Sequence, residues 1–140
     1  MGGTNLQEVF DAFFIKVPHV DFTGKERQVY QFFKSAIAKC YRHTYDNILS
    51  HFYDEELQEG FFDTEVSQSS IELISMFMVK EYFVQKFALL NSRKQYLGTQ
   101  AFNKIPSNIE EFNLANDSLK YWSDEIARFL MEFPDYSEER

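Results

Sequence analysis

The fold depends on residues 71–90, which read IELISMFMVKEYFVQKFALL. They lie inside a longer stretch, from Ser67 to Leu97, that contains neither Gly nor Pro. In a helix this stretch would carry apolar side chains on nearly every face, and its polar residues would be scattered rather than aligned in one stripe. The pattern therefore predicts one long helix, beginning at Ser67 or Ser69 and about 45 Å in length, which other helices cover from several directions.

A second long helix, predicted from Asn108 to about Phe133, has the strictest periodicity in the chain. Apolar residues recur every seventh position, and a second apolar residue follows three positions later; the two sets are Phe112, Leu119, Ile126 and Phe133, and Ala115, Trp122 and Phe129. This heptad pattern indicates a seam that packs against another helix. Because only the connection from Gly98 to Pro106 separates the two long helices, we expect an antiparallel αα-hairpin.

Two shorter helices are predicted earlier in the chain. The first begins at a capping box formed by Thr4 and Gln7 and ends before Pro18. The second begins at another capping box, Thr23 with Glu26, and continues with apolar residues at helical spacing.

Together these patterns predict an all-α fold: a single-domain bundle of about four helices over residues 1–133, built on the long αα-hairpin. Residues 134–140 are expected to form a short charged tail after the helix stops at Pro134. This tail is either frayed or tethered through Tyr136.

Three phenylalanines, Phe10, Phe13 and Phe14, share one face of the first predicted helix. They either dock on the long helix or contact another subunit. We favour docking within the chain, because an exposed face of three phenylalanines would be a poor monomer surface.

Residues 46–66 have no clear helical period. Between residues 54 and 65 there are six acidic residues and no basic one. This segment is either a solvated linker held by its aromatic rings, which we slightly favour, or a docking segment for a basic groove on a partner. In the second case Phe61 and Phe62 would be the anchors and the carboxylates a steering rim.

No catalytic or cofactor site is legible in the sequence. The three histidines, His19, His43 and His51, do not have metal-ligand spacing, and no Gly-rich phosphate-binding motif occurs. Cys40 is the only cysteine, so it cannot form an intramolecular disulfide. We therefore expect a non-enzymatic protein with no cofactor and no metal.

The charge of the chain argues against nucleic-acid wrapping and against a membrane segment. The net charge is −8, which repels phosphate, and the most apolar window is interrupted by Lys and Glu. Between Lys80 and Lys104 the bases, which include Arg93 and Lys94, are in local excess, because Glu81 is the only acid there. We expect self-association in which the basic region of one copy meets the acidic segment of the next, closing into a ring if the rotation permits.

The run from Gly60 to Met78 (GFFDTEVSQSSIELISMFM), the run from Leu97 to Asn103 (LGTQAFN) and the closing helix resemble small helical structural proteins of tailed bacteriophages. Those proteins are encoded among the head and neck genes of phages of Gram-positive hosts. The resemblance covers roughly residues 50–130. It implies a head-tail connector or adaptor subunit of the virion neck, assembled as a ring between portal and tail proteins.

In such a ring an acidic surface facing the channel would keep passing DNA from sticking, without any sequence-specific binding. The alternative reading of the sequence is a small acidic regulatory module, in which the segment around Phe61 and Phe62 binds one basic partner.

Overall fold

The computed structural model describes residues 3–132, which are mainly α-helical. The elements are α1 (Leu6–Lys16), α2 (Glu26–Cys40), a 3-10 turn (Tyr41–His43), β1 (His51–Asp54), β2 (Glu59–Phe62), α3 (Gln68–Leu97), α4 (Thr99–Asn103) and α5 (Pro106–Glu132). The expectation of a mainly helical protein is confirmed. The sequence analysis did not predict the two strands, nor α4.

The first two helices are where the sequence predicts them, but their caps differ. Asn5, not Thr4, caps α1: its side-chain oxygen accepts a hydrogen bond from the backbone N–H of Gln7 at 2.8 Å. The hydroxyl of Thr4 instead accepts one from the N–H of Val66 at 2.8 Å, which ties the start of the chain to the segment before α3. The capping box expected at Thr23 is absent, because α2 starts two residues later, with Lys25 at the N-cap and no side-chain cap.

Residues 51–62 form an antiparallel β-hairpin instead of a linker. Phe52 pairs with Phe61, and Tyr53 pairs with Gly60. Gly60 is required at its position, because a Cβ atom there would lie 2.3 Å from the carbonyl oxygen of Phe52. The chain near Asn5 bridges to Phe61 on the other edge of β2, so β2 lies between β1 and the N-terminal segment.

The long helix α3 begins and ends as predicted, with Ser67 as its N-cap and Gly98 after its last turn. Ser67 accepts a hydrogen bond from the N–H of Ser70, and Asp46 in turn accepts hydrogen bonds from the hydroxyls of both serines. Burial on all faces is confirmed only for residues 70–79. In the second half of α3 only Leu90 is buried, which corrects the expectation that the whole helix is covered.

The second half of α3 packs on α5. Phe87 lies 4.9 Å from Phe112, ring centre to ring centre, and Arg93 donates a hydrogen bond to the side-chain oxygen of Asn108 at 3.1 Å. Within α5, the buried residues are Asn108, Ala115 and Ile126. The predicted end of this helix at Phe133 lies outside the described residues.

The main core lies between α1, α2, the first half of α3 and β2. Aromatic rings fill much of it, and Phe13, Phe33 and Phe62 are fully buried. From α5, Ile126 reaches this core. Tyr82 and Phe83 of α3 still pack against this core. The residues of α3 beyond Phe83 and the first half of α5 extend past the main core as an arm.

Candidate protein interaction surfaces

The outer side of the β-hairpin exposes two aromatic rings beside acidic side chains. Phe52 and Phe61 are direct cross-strand partners, so their side chains point to the same side of the sheet. Their exposed fractions are 60% and 40%. We call this surface the hairpin face; its residues are Phe52, Glu56, Leu57, Glu59 and Phe61, all of them exposed.

The inner side of the hairpin holds it firmly on the core. Tyr53 stacks on Tyr30 with ring centres 4.2 Å apart, and the Tyr30 hydroxyl lies 3.0 Å from the Nε2 atom of His51. Phe62 lies against Phe33 in the core. Because these contacts fix the hairpin, the hairpin face is preorganised for docking, which lowers the entropy cost of binding.

The carboxylates of the hairpin face carry charge that the described part of the chain does not neutralise. Glu55 forms an ion pair with Arg27 at 3.3 Å, but both side chains are at least half exposed, so the pair adds little stability. Glu56 and Glu59 form no ion pair within residues 3–132. Burial and the nearby Glu55 raise the pKa of Tyr30. The surface is therefore acidic and aromatic.

A second exposed apolar surface lies on the arm. Leu89 and Tyr96 are seven residues apart on α3, so they share one side of the helix, and their exposed fractions are 62% and 90%. Lys86 and Arg93, also seven apart, follow the same line. We call this surface the arm stripe; its residues are Lys86, Leu89, Arg93, Tyr96 and Leu97.

The arm stripe has no acidic residue near it in the sequence. Residues 82–109 contain no Asp or Glu. Arg93 is held beside α5 by Asn108, whose side-chain amide also donates to the carbonyl oxygen of Phe102 at 3.3 Å. The ammonium of Lys94 lies 5.2 Å from the ring centre of Phe112 and points toward α5. The exposed charge of the stripe therefore comes mainly from Arg93, because Lys86 is half-buried and lines a groove with Glu111 of α5.

The structure places the predicted interface residues in different environments. Phe10, Phe13 and Phe62 are buried in the core, and Phe14 is partly buried in a groove of about 410 Å³ between α1, α2 and the hairpin. The burial of Phe10 and Phe13 agrees with the favoured expectation that they dock within the chain. Phe62, expected as a possible anchor for a partner, is corrected to a core residue, because a partner cannot reach it in the folded chain. Phe61 is exposed, and Tyr136 lies outside the described residues.

Three exposed residues of these surfaces were missed by the sequence reasoning. Phe52 lies in the segment for which no clear period was found, although Phe52 and Phe61 flank an acidic turn with strand-like alternation on both sides. Leu89 and Tyr96 were counted as covered because the whole of α3 was expected to be buried. Leu89 and Tyr96 are seven residues apart, as are Lys86 and Arg93. This spacing was the signal that could have identified one side of α3 as a mixed apolar and basic surface.

The groups capable of chemistry are dispersed in the described part of the chain. Cys40 is buried, and burial raises the pKa of its thiol to about 12, so the thiolate that acts as a nucleophile is scarce at neutral pH. Among residues 3–132 there is no group of three or more His, Cys, Asp or Glu side chains placed to hold a metal ion. None of the helices described is long and apolar enough to cross a membrane.

Comparison with protein-family models, with curated proteins and with solved structures gives no match.

Proposed function

We propose that this chain is a non-enzymatic structural protein of a virion, a head-tail connector subunit that assembles as a ring between portal and tail proteins. The observation that carries the proposal is the presence of two separate exposed apolar surfaces, the hairpin face and the arm stripe, with opposite charge. Monomeric proteins rarely expose such patches without a use for them, and patches with a charged rim are typical of protein interfaces. The resemblance to phage neck proteins supplies the place in the virion.

In this proposal α3 and α5 form a rigid antiparallel αα-hairpin that spaces the contacts of the ring. The aromatic contact of Phe87 with Phe112 and the hydrogen bond of Arg93 to Asn108 support this arrangement, because the later residue of α3 meets the earlier residue of α5. The net charge of −8 suits a subunit beside a DNA channel, since carboxylates repel phosphate.

Electron microscopy of the purified protein tests the proposal. The protein is imaged alone and after mixing with the portal protein encoded in the same gene neighbourhood. We expect closed rings of uniform diameter, either free or seated on the portal. A dispersed protein that forms no ring in either preparation would contradict the connector function.

A regulatory binding module is the second candidate, and the unpaired Glu56 and Glu59 around Phe52 are the observation that favours it. In that case the hairpin face binds one basic partner and the chain remains a monomer of 16.7 kDa. The mass of the purified protein separates the two functions, because only the connector requires self-association.

A further inference from the structure

The hairpin face and the arm stripe cannot cover each other within one chain. The hairpin packs on α1 and α2 beside the main core, where Phe33 contacts both Phe62 and His51. Tyr96, near the end of the stripe, lies about 25 Å beyond Val79 along the axis of α3, at 1.5 Å per residue. Within residues 3–132 neither surface is therefore buried by the other, and a second molecule can reach both.

The two surfaces match in chemistry. On the hairpin face, carboxylates surround exposed aromatic rings, and the chain from residue 54 to residue 65 contains no base. On the arm stripe, the exposed Arg93 and the half-buried Lys86 stand beside Leu89 and Tyr96, and residues 82–109 contain no Asp or Glu. Complementary charge steers two such patches together and disfavours contact between two copies of the same patch.

Resting on the proposed function, we infer that the hairpin face of one copy docks on the arm stripe of the next copy. The chain carries both halves of this contact, so a second copy is the partner that the charges and apolar residues favour. Two different patches in contact make a heterologous interface, which leaves a free hairpin face at one end and a free arm stripe at the other. Repetition of this contact produces a closed ring when the rotation from one copy to the next is a whole fraction of a full turn.

Two variants, each lacking one surface, test the inference. The hairpin variant carries Phe52→Ser and Leu57→Ser, and the arm variant carries Leu89→Ser and Tyr96→Ser; all four side chains are exposed, so the fold is expected to persist. Circular dichroism checks that it does. Native mass spectrometry then measures each variant alone and a 1:1 mixture.

We expect each variant alone to be a monomer and the mixture to form dimers of one copy of each variant. The intact arm stripe of the hairpin variant accepts the intact hairpin face of the arm variant, and no free functional surface remains to extend the assembly. Ile15→Ser is the matched control, because Ile15 is 77% exposed on α1, outside both surfaces. That variant should keep the mass of the wild-type assembly.

Two results would overturn the inference: variants that retain the wild-type mass, or a mixture that stays monomeric although both variants are folded. If the wild type forms rings while the variants also form them, the ring function stands and this contact is wrong. If the wild type forms no assembly even with the portal protein, both the contact and the ring function are wrong.

Discussion

Two backbone positions in the turn and second strand of the β-hairpin decide whether the hairpin face can form. Gly60 has no room for a side chain, since a Cβ atom would also lie 2.9 Å from the Cδ1 atom of Leu6. Gln58, in contrast, has a positive φ of 54°, a conformation that costs free energy for any residue with a Cβ atom. A side chain introduced at position 60 should therefore lower the stability of the protein, whereas removal of the side chain at position 58 should raise it.

Substitution of Gly60 by Ala should destabilise the protein, because the backbone of β1 must move away from the added methyl group. We expect the free energy of unfolding to fall by about 3 kcal/mol, the upper part of the usual range for single substitutions. Urea unfolding followed by circular dichroism measures the change. A loss below about 0.5 kcal/mol would show that Gly60 does not lie as close to Phe52 as described.

Substitution of Gln58 by Gly should stabilise the protein by roughly 0.5–1 kcal/mol, since Gly adopts positive φ without steric cost but loses more entropy on folding. The same urea titration detects it. Because Gln58 is exposed in the turn, no lost side-chain contact is expected to offset the gain. Destabilisation would contradict the left-handed conformation of this residue.

Because Cys40 is buried, we expect the protein to lose stability at alkaline pH. Its thiol has a pKa of about 12 in the folded chain against 9.0 for a solvent-exposed cysteine, because burial disfavours the thiolate. The folded state therefore holds the thiol proton more tightly than the unfolded state does. The resulting contribution to the free energy of unfolding is fully present below pH 9 and is lost as the pH rises toward 12, by on the order of 4 kcal/mol in full. Urea unfolding at several values from pH 8 to pH 11 should show the decline.

The variant Cys40→Ala is the control for this titration, since it removes the thiol but keeps a small apolar side chain. Burial also raises the pKa values of Tyr30, Tyr53 and Tyr82, so part of the alkaline decline should remain in the variant. Equal slopes of stability against pH in both proteins would contradict the burial of Cys40.

At the scale of the elements, the start of α3 depends on one serine of two that the sequence offered. The Ser67 hydroxyl accepts a hydrogen bond from the N–H of Ser70, whereas Ser69 is already inside the helix. Replacing Ser67 by Ala should cost about 1 kcal/mol of stability through loss of the cap. Ser69→Ala is the matched control and should change the free energy of unfolding by less than about 0.5 kcal/mol. Equal effects of the two substitutions would argue against Ser67 as the cap.

The helices could be predicted because their apolar residues repeat at helical spacing and their ends carry local signals. Gly98 ends α3 with a positive φ of 84°, a position that suits this residue type. Pro106 opens α5, so this helix begins two residues before the predicted start at Asn108, with a proline in the first turn where it is tolerated. The β-hairpin could not be predicted from the same rules, because each strand has only four residues and its stability depends on the core beneath Phe62.

Which residues of α3 are buried could not be predicted from the sequence either. Residues 70–79 and residues 80–97 are both rich in apolar side chains, and periodicity alone does not say which of them a neighbouring element reaches. Because α1 and α2 are short, they cover the first half of α3, while α5 covers one side of the second half. Leu89 and Tyr96 are left exposed for that reason. The arm stripe thus depends on the relative lengths of the helices, which no local pattern encodes.

At the scale of the whole molecule, the two exposed apolar surfaces, one acidic and one basic, lie at different places along the length of α3. The main core and the acidic hairpin lie toward the start of this helix, and the arm stripe with its bases lies beyond the core toward the other end. In the proposed contact between unlike surfaces, the electrostatic steering should weaken with ionic strength, because salt screens exposed charges beyond about 10 Å at 0.1 M.

The mass of the wild-type protein in solution tests self-assembly most directly. Native mass spectrometry over a range of protein concentration at low ionic strength should give one defined assembly whose mass is a whole multiple of 16.7 kDa. The population of that assembly should rise with concentration and fall with added salt. A single species of 16.7 kDa at every concentration would contradict the account.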